Sequence, residues 1–282
     1  MQSTTRPGAG AEAGYAGRPS SRLRVAADVH GLRTGLVNVF FLGPPGSRGW
    51  VLIDGGIRGF AGAIRRAAVQ LFGGDNPPRA VVLTHGHFDH VGALPALLRR
   101  WRCAVYAHPA ELPFLNGRLP YPPPDPSVGG MMARLSPLFP RKGAKLPVTV
   151  QPLPEDGVLP GLSDWRWVAT PGHTPGHVSF FRERDRVLIA GDALITTRQE
   201  RARDVWQQTP ELRPPPAYFT PNWREAHASI ERLRELAPSV VAPGHGVPLP
   251  AEVLHPAWEQ LTQDFAHRGL PPRGHYAATT WP

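Results

Sequence analysis

Thr84-His85-Gly86-His87-Phe88-Asp89-His90 places three imidazoles and a carboxylate within six positions, directly after the apolar run Ala80-Val81-Val82-Leu83. One histidine there would read as an ordinary polar loop group. Four ligand-type side chains crowded against a buried strand suffer desolvation and mutual repulsion unless a cation compensates them, so the heptapeptide points to a metal site. The β-branched run reads as a buried strand ending at Thr84. From Val91, the recurrence of Leu94, Leu97 and Leu98 predicts a helix over Val91 to Trp101. The cluster therefore occupies the loop at the C-terminal edge of a strand, where open α/β sheets hold their chemistry. Gly86 is expected to give the sharp turn that lets His85 and His87 converge, with Asp89 and His90 aimed at a second point.

Other strand ends carry matching residues. Trp165-Arg166-Trp167-Val168-Ala169 alternates like a strand and runs into Thr170-Pro171-Gly172-His173-Thr174-Pro175-Gly176-His177, a Pro/Gly turn that presents His173. Arg186-Val187-Leu188-Ile189-Ala190 ends at Gly191-Asp192, and Ser239-Val240-Val241-Ala242 ends at Pro243-Gly244-His245-Gly246.

With these motifs in place the chain resembles the metallo-β-lactamase-fold hydrolases. The matching segments are residues 84 to 90, Thr170-Pro171-Gly172-His173, Gly191-Asp192, Gly244-His245-Gly246 and the early strand Val51-Leu52-Ile53-Asp54-Gly55-Gly56, in the family's order and spanning most of residues 36 to 246. The resemblance implies an α/β (α+β) fold, the four-layer αββα sandwich, with metals between two sheets at one edge. It implies that His85, His87 and His173 hold one metal, that Asp89, His90 and His245 hold another, and that Asp192 bridges them. Asp54 is implied to orient the His-rich loop by hydrogen bonds, and His177 falls in the same supporting class. The expected cofactors are two Zn2+, with iron or manganese as alternatives. The expected chemistry is attack by a metal-bound hydroxide on an ester, thioester or lactone bond of a small molecule, with Asp89 orienting the hydroxide and carrying a proton.

Departures from particular branches narrow this. The best-known zinc β-lactamases have a cysteine where Asp192 stands, which argues against antibiotic hydrolysis as the main activity. Glyoxalase-II-like thioesterases add a sizeable helical C-terminal domain, whereas residues 246 to 282 suffice here for one helix near Ala251 to Phe265 and a Pro-rich tail. Nothing resembles the RNA-binding arm of the tRNA-processing nucleases. The tyrosine that lactonases of this fold carry just past the bridging aspartate has no match in Ala193-Leu194-Ile195-Thr196. A mononuclear iron oxygenase similar to the persulfide dioxygenases, a phosphodiesterase of the same fold and a non-catalytic scaffold remain as other readings.

The net charge of +9 would suggest nucleic acid, yet the 31 basic residues are two lysines and twenty-nine arginines scattered singly, with Arg-Arg pairs only at 65–66 and 99–100. A nucleic-acid surface needs clustered cations with interleaved aromatics, so a small-molecule substrate is expected instead, with no nucleic acid and no membrane partner. Residues 1–21, rich in Gly, Ala, Ser and Pro without an apolar core, read as a flexible tail before one domain over 22–282, in a cytoplasmic protein. Cys103, alone, reads as a small packed hydrophobe, and His108 as a helix-start residue. Two segments, 112–147 with Met131, Met132, Leu135 and Leu138 at helical spacing, and 196–223 with Trp206, Pro214-Pro215-Pro216 and Tyr218-Phe219, are expected to overhang the site as a lid and to favour an apolar substrate.

Overall fold

Val37-Asn38-Val39-Phe40-Phe41-Leu42 is buried at every position, which a strand achieves only when both faces of its sheet are covered. Side chains alternate along it. Phe40 and Leu42 enter the core between two sheets, and Val39 and Phe41 enter a second core under outer helices.

In the computed structural model, which describes residues 21–199 and 202–281, the strands are β1 Arg22–Ala26, β2 Val29–Thr34, β3 Val37–Leu42, β4 Val51–Ile53, β5 Ala80–Val82, β6 Ala104–Ala107, β7 Val150–Pro152, β8 Val158–Leu159, β9 Leu162–Ala169, β10 Val178–Arg182, β11 Val187–Gly191, β12 Val240–Pro243 and β13 Leu249–Pro250. The helices are α1 Ala61–Phe72, α2 Phe88–Val91, α3 Leu94–Leu98, α4 Leu112–Leu115, α5 Met131–Leu135, α6 Ala202–Gln207, α7 Trp223–Glu235, α8 Ala251–Gln263, α9 Phe265–Arg268 and α10 His275–Thr280. The first seven strands form one sheet in sequence order, antiparallel up to β4 and parallel from β4 to β7. The second sheet runs β13-β12-β11-β10-β9-β8 and is antiparallel except where β11 meets β12.

Three buried clusters define four layers. Between the sheets, Phe40, Ile53 and Val82 meet Trp165, Phe180 and Ile189. Outside the first sheet, Ile64, Leu94 and Leu97 pack on Phe41 and Leu52. There Trp50 stacks on Phe72 at 4.5 Å and meets the edge of Trp101 at 5.7 Å. Outside the second sheet, Trp223, Ile230, Leu233, Leu254 and Trp258 pack on Leu188 and Val241. Each fully buried side chain of this size stabilises by roughly 1.5–3 kcal/mol. The αββα sandwich is thus the one expected. Asn38 ties its halves together: its Nδ2 donates to the carbonyls of Pro243 and Gly246 at 2.9 and 2.8 Å.

Several expectations change in detail. The helix expected over Val91 to Trp101 is two short helices, α2 and α3, because Gly92 lies tight against the Arg58 backbone and Pro95 starts a new helix. The stretch Met131 to Leu138 is α5 followed by a 3-10 turn over Ser136–Leu138, and Met131, Leu135 and Leu138 point outward. Beyond α8 the expected tail holds α9 and α10, and Tyr276 of α10 and Trp281 just after it pack on the second helical layer. The tail expected over 1–21 lies, up to residue 20, outside the described residues, as does the side chain of Trp206. Among the described residues no helix is long and apolar enough to cross a membrane.

Candidate metal centre

Parallel strands β4 and β5 end side by side, and the residues just past them meet. Asp54 follows β4 with φ 62°, an uncommon left-handed conformation for a non-glycine that aims its carboxylate across the strand end. Its Oδ1 accepts from the Thr84 amide at 2.8 Å. Its Oδ2 accepts from Thr84 Oγ1 at 2.7 Å and lies 2.8 Å from His90 Nδ1. Asp54 therefore makes hydrogen bonds to both ends of the His-rich loop.

Gly86 is required for a different reason than a turn. Its φ is not in the left-handed region, but a Cβ there would run into Tyr121 Oη and come within 2.7 Å of Leu115 Cδ2. A close approach excludes side chains at this position.

The loop brings His85 and His87 to His173, presented by the turn after β9. His87 Nδ1 lies 3.1 Å from His85 Nε2 and 3.0 Å from His173 Nε2. His85 Nδ1 is engaged by Thr84 Oγ1 at 3.0 Å and His173 Nδ1 faces Thr220 Oγ1 at 3.4 Å, so the opposite nitrogens are the ones that converge. The turn can approach because Gly172 lies against the backbone of Ala226 in α7, where no Cβ would fit.

A second group forms beside it. His90 and His245 are held through Nδ1, by Asp54 and by the Leu36 carbonyl at 2.8 Å, which leaves both Nε2 atoms facing inward. Asp89 Oδ2 lies 3.4 Å from His245 Nε2 and 4.0 Å from His90 Nε2. Asp192, at the end of β11, stands between the groups. Its Oδ2 is 3.5 Å from His173 Nε2 and 3.2 Å from His245 Nε2, and its Oδ1 is 3.5 Å from His90 Nε2. Gly244 must be glycine here, since a Cβ would overlap that carboxylate. His177 is not in either group. Its Nδ1 pairs with Thr170 Oγ1 at 2.8 Å and its Nε2 accepts from the Asp192 amide at 2.9 Å, so both nitrogens are consumed in holding Asp192.

The donor set fits cations. Three triads have ligand atoms within 4.8 Å of one another: His85-His87-His173, His85-His90-Asp192 and Asp89-His90-His245. His90 Nε2 and Asp192 Oδ1 are buried with no hydrogen-bond partner among the described residues, which is expensive for polar atoms unless a cation satisfies them. Burial, reinforced by neighbouring imidazoles, holds His85 and His173 well below the usual histidine value, and burial brings His87 down to about 4. Rings held neutral in this way have the protonation state that metal ligation requires. Burial also opposes charge on His245 and His90, but the carboxylates around them prevail: Asp192 and Asp89 push His245 up to about 10, and Asp192, Asp54 and Asp89 raise His90 well above its usual value.

One functional residue escaped sequence reasoning. Glu111, fully buried after β6, accepts from the Gly86 amide through Oε2 at 3.0 Å and from the Gly176 amide through Oε1 at 2.9 Å, and Tyr121 Oη donates to Oε2. One carboxylate thereby ties the loop of His85 and His87 to the turn of His173. Burial raises the Glu111 carboxyl in spite of these bonds. The available signal was its place at the end of β6, the strand next to β5. His108 starts the 3-10 turn before it, accepting from Ala110 N at 3.2 Å, as expected.

One residue of the segment 112–147 and one of 196–223 lie against His87. The Tyr121 ring is 4.5 Å from that of His87 and Phe219 is 5.1 Å from it. Phe139 contacts Phe219 at 6.2 Å.

Comparison with known proteins agrees with this geometry. The family model described as the metallo-beta-lactamase superfamily matches residues 32–245. The chain is 47% identical over 234 residues to the probable metallo-hydrolase YflN of Bacillus subtilis (strain 168), covering 82% of this chain and 89% of that protein. It is similar to a crystal structure of TTHA1623 in a di-iron-bound form, with 27% identity, TM-score 0.50, and coverage of 78% of this chain and 93% of that one. The BLEG-1 B3 metallo-beta-lactamase shares the fold at 24% identity and TM-score 0.56, over 86% of this chain and 99% of that one.

Proposed function

Because this chain belongs to the metallo-β-lactamase superfamily, we propose that it is a metallo-hydrolase with a dinuclear centre, acting on an ester, thioester or lactone bond of a small-molecule substrate. The observation that carries this reading is the position of Asp192, one carboxylate oxygen within 3.5 Å of His173 Nε2 and 3.2 Å of His245 Nε2, between two groups of imidazoles. His85, His87 and His173 would hold one metal, Asp89, His90 and His245 the other, and Asp192 both. A metal pair supplies Lewis acidity for the scissile carbonyl and lowers the pKa of water from about 15.7 to about 7. Zinc suits the imidazole-rich donor set, and iron is the alternative that the di-iron form of TTHA1623 supports.

The chain's own groups do the rest. Asp89 is the most accessible carboxylate of the cluster, with 16% of its side chain exposed, and can orient an attacking water and pass its proton to the leaving group. Tyr121 and Phe219 wall the His87 side and exclude solvent. A small-molecule substrate and a cytoplasmic setting belong to the same reading.

The test is turnover of an aryl ester, a thioester, a lactone and a phosphodiester by the metal-loaded protein. Cleavage of one of the first three, lost with chelator and restored by divalent metal, supports the reading. Cleavage of the phosphodiester alone, or oxygen uptake on a persulfide without hydrolysis, contradicts it.

A further inference from the structure

Lys142 and Lys145 are the chain's two lysines, and both line cavities beside the metal-binding loop. A cavity of about 390 Å³ is walled by Phe88, Ala93, Pro95 and Pro140 and rimmed by Arg58, Arg99 and Lys142. Its neighbour, about 820 Å³, shares Lys142 and adds Arg118 and Lys145. Neither is lined by a carboxylate, whereas the cavity at Arg198 includes Glu211 and that at Arg184 includes Asp28 and Asp185. Among the described residues none of these five cationic side chains makes an ion pair or side-chain hydrogen bond, although other arginines of the chain, such as Arg166 and Arg234, pair with glutamates even at the surface.

The first cavity borders the metal-binding loop through Phe88. Phe88 lies between His87 and Asp89, and its ring meets Phe139 at 5.4 Å, which meets Phe219, which packs on His87. Arg141, just before Lys142, is pinned to Tyr121 twice: the Tyr121 amide donates to its carbonyl at 2.8 Å, and its Nε donates to the Tyr121 carbonyl at 2.9 Å. Lys142 thus sits next to a residue anchored on the aromatic wall of the site. An apolar floor with an uncompensated cationic rim recognises an amphiphile whose charge is negative.

We propose that this cavity binds the anionic end of the substrate, an ester or thioester with a carboxylate or phosphate at the far end of a short apolar chain. This rests on the hydrolase reading and specifies its substrate class. The volume lies at the small end of ligand pockets, ~300–1,000 Å³, and suits a short chain.

The experiment compares KM for matched aryl esters ending in a carboxylate, a phosphate or a neutral methyl cap, at low and high salt, in the native protein and in a Lys142→Glu/Arg99→Glu variant. Both side chains are exposed, so the fold should tolerate the change, and Arg224→Glu on α7 serves as a charge control outside the cavity. An anionic ester should show a KM about tenfold below its neutral partner, with the advantage shrinking in salt and reversing in the double variant but not in the control. Which anion gains more identifies the group recognised. Equal KM values for charged and neutral esters, or a preference that survives the double variant, would overturn the proposal while leaving the hydrolase reading intact. If no ester is turned over, calorimetric titration of the metal-loaded protein with heptanoate and heptanol still decides. Heptanoate binding that the double variant loses supports the cavity's role, and binding that it keeps, or none in the native protein, refutes it.

Discussion

Strand β10 has a buried polar cluster at each end, and the two are built to opposite rules. At its C-terminal end the Arg182 guanidinium, 1% exposed, donates through Nε and Nη2 to Asp185 at 2.9 and 2.7 Å and through Nη1 and Nη2 to Asp28 at 2.8 and 2.9 Å, over the face of Trp165 at 4.8 Å. The cation comes with its anions, and the cluster is closed. At the N-terminal end, where the Val178 amide donates to the Thr84 carbonyl, His90 Nε2 and Asp192 Oδ1 have no hydrogen-bond partner among the described residues and imidazole nitrogens face one another. That cluster is complete only with cations from outside. A buried polar group that satisfies itself supports the fold, and one that does not marks where a ligand is expected.

Removing the carboxylate at the centre of the open cluster should have the largest effect. Asp192→Ala should lower turnover by roughly 10³-fold and bring bound metal down to about one equivalent, since the group we propose to serve both metals is lost. Elemental analysis beside kcat measures both. Unchanged turnover with full metal would erase the distinction between the two clusters.

The closed cluster should respond in stability instead. Arg182→Met leaves Asp185 without its cation and Asp28 with Arg184 alone, but the two carboxylates are 39% and 17% exposed and regain water, so about 2 kcal/mol of stability should be lost. Urea unfolding with and without metal tests this, and added metal should not restore the loss.

Glu111 sharpens the comparison because it satisfies backbone amides yet serves the open cluster. Glu111→Ala should weaken metal binding by roughly 10–100-fold, as losing a support behind metal ligands typically does. Glu111→Gln, which keeps one acceptor oxygen, should fall between. Competition with a chelating dye reads the affinities, and equal affinity in all three proteins would reduce Glu111 to packing.

The smallest effect concerns pH. Burial would raise the Asp28 carboxyl, but Arg182 and Arg184 prevail and hold it below its ordinary 3.8. A carboxyl depressed in the folded state contributes stability that is fully present above 3.8 and fades as the pH falls through the lower folded value. Urea midpoints in acid should therefore decline less steeply in Asp28→Asn, and parallel curves would contradict that.

The sandwich and its ligand-type residues were legible because strand ends in such a fold are marked twice, by apolar runs and by the side chains that follow them. Asp54, directly after β4, is marked in the same way. Glu111 was not, because its main partners are the amides of Gly86 and Gly176, which any residue but proline also possesses. Gly86 reads locally as a turn, whereas the packing of Tyr121 and Leu115 decides it, a contact between distant segments that local sequence does not carry. The division of Val91 to Trp101 into α2 and α3 was written in Gly92 and Pro95 but masked by the leucine spacing. α9 and α10, four and six residues long, are too short to show periodicity.

Metal content of the purified protein tests the central claim most directly. Two equivalents of a divalent transition metal per chain, falling to about one in Asp192→Ala, is the result expected from a cluster whose buried donors lack partners. Protein that binds no metal under any loading condition, and is equally stable with and without it, would show that the His-rich end of β10 satisfies itself as Arg182 does.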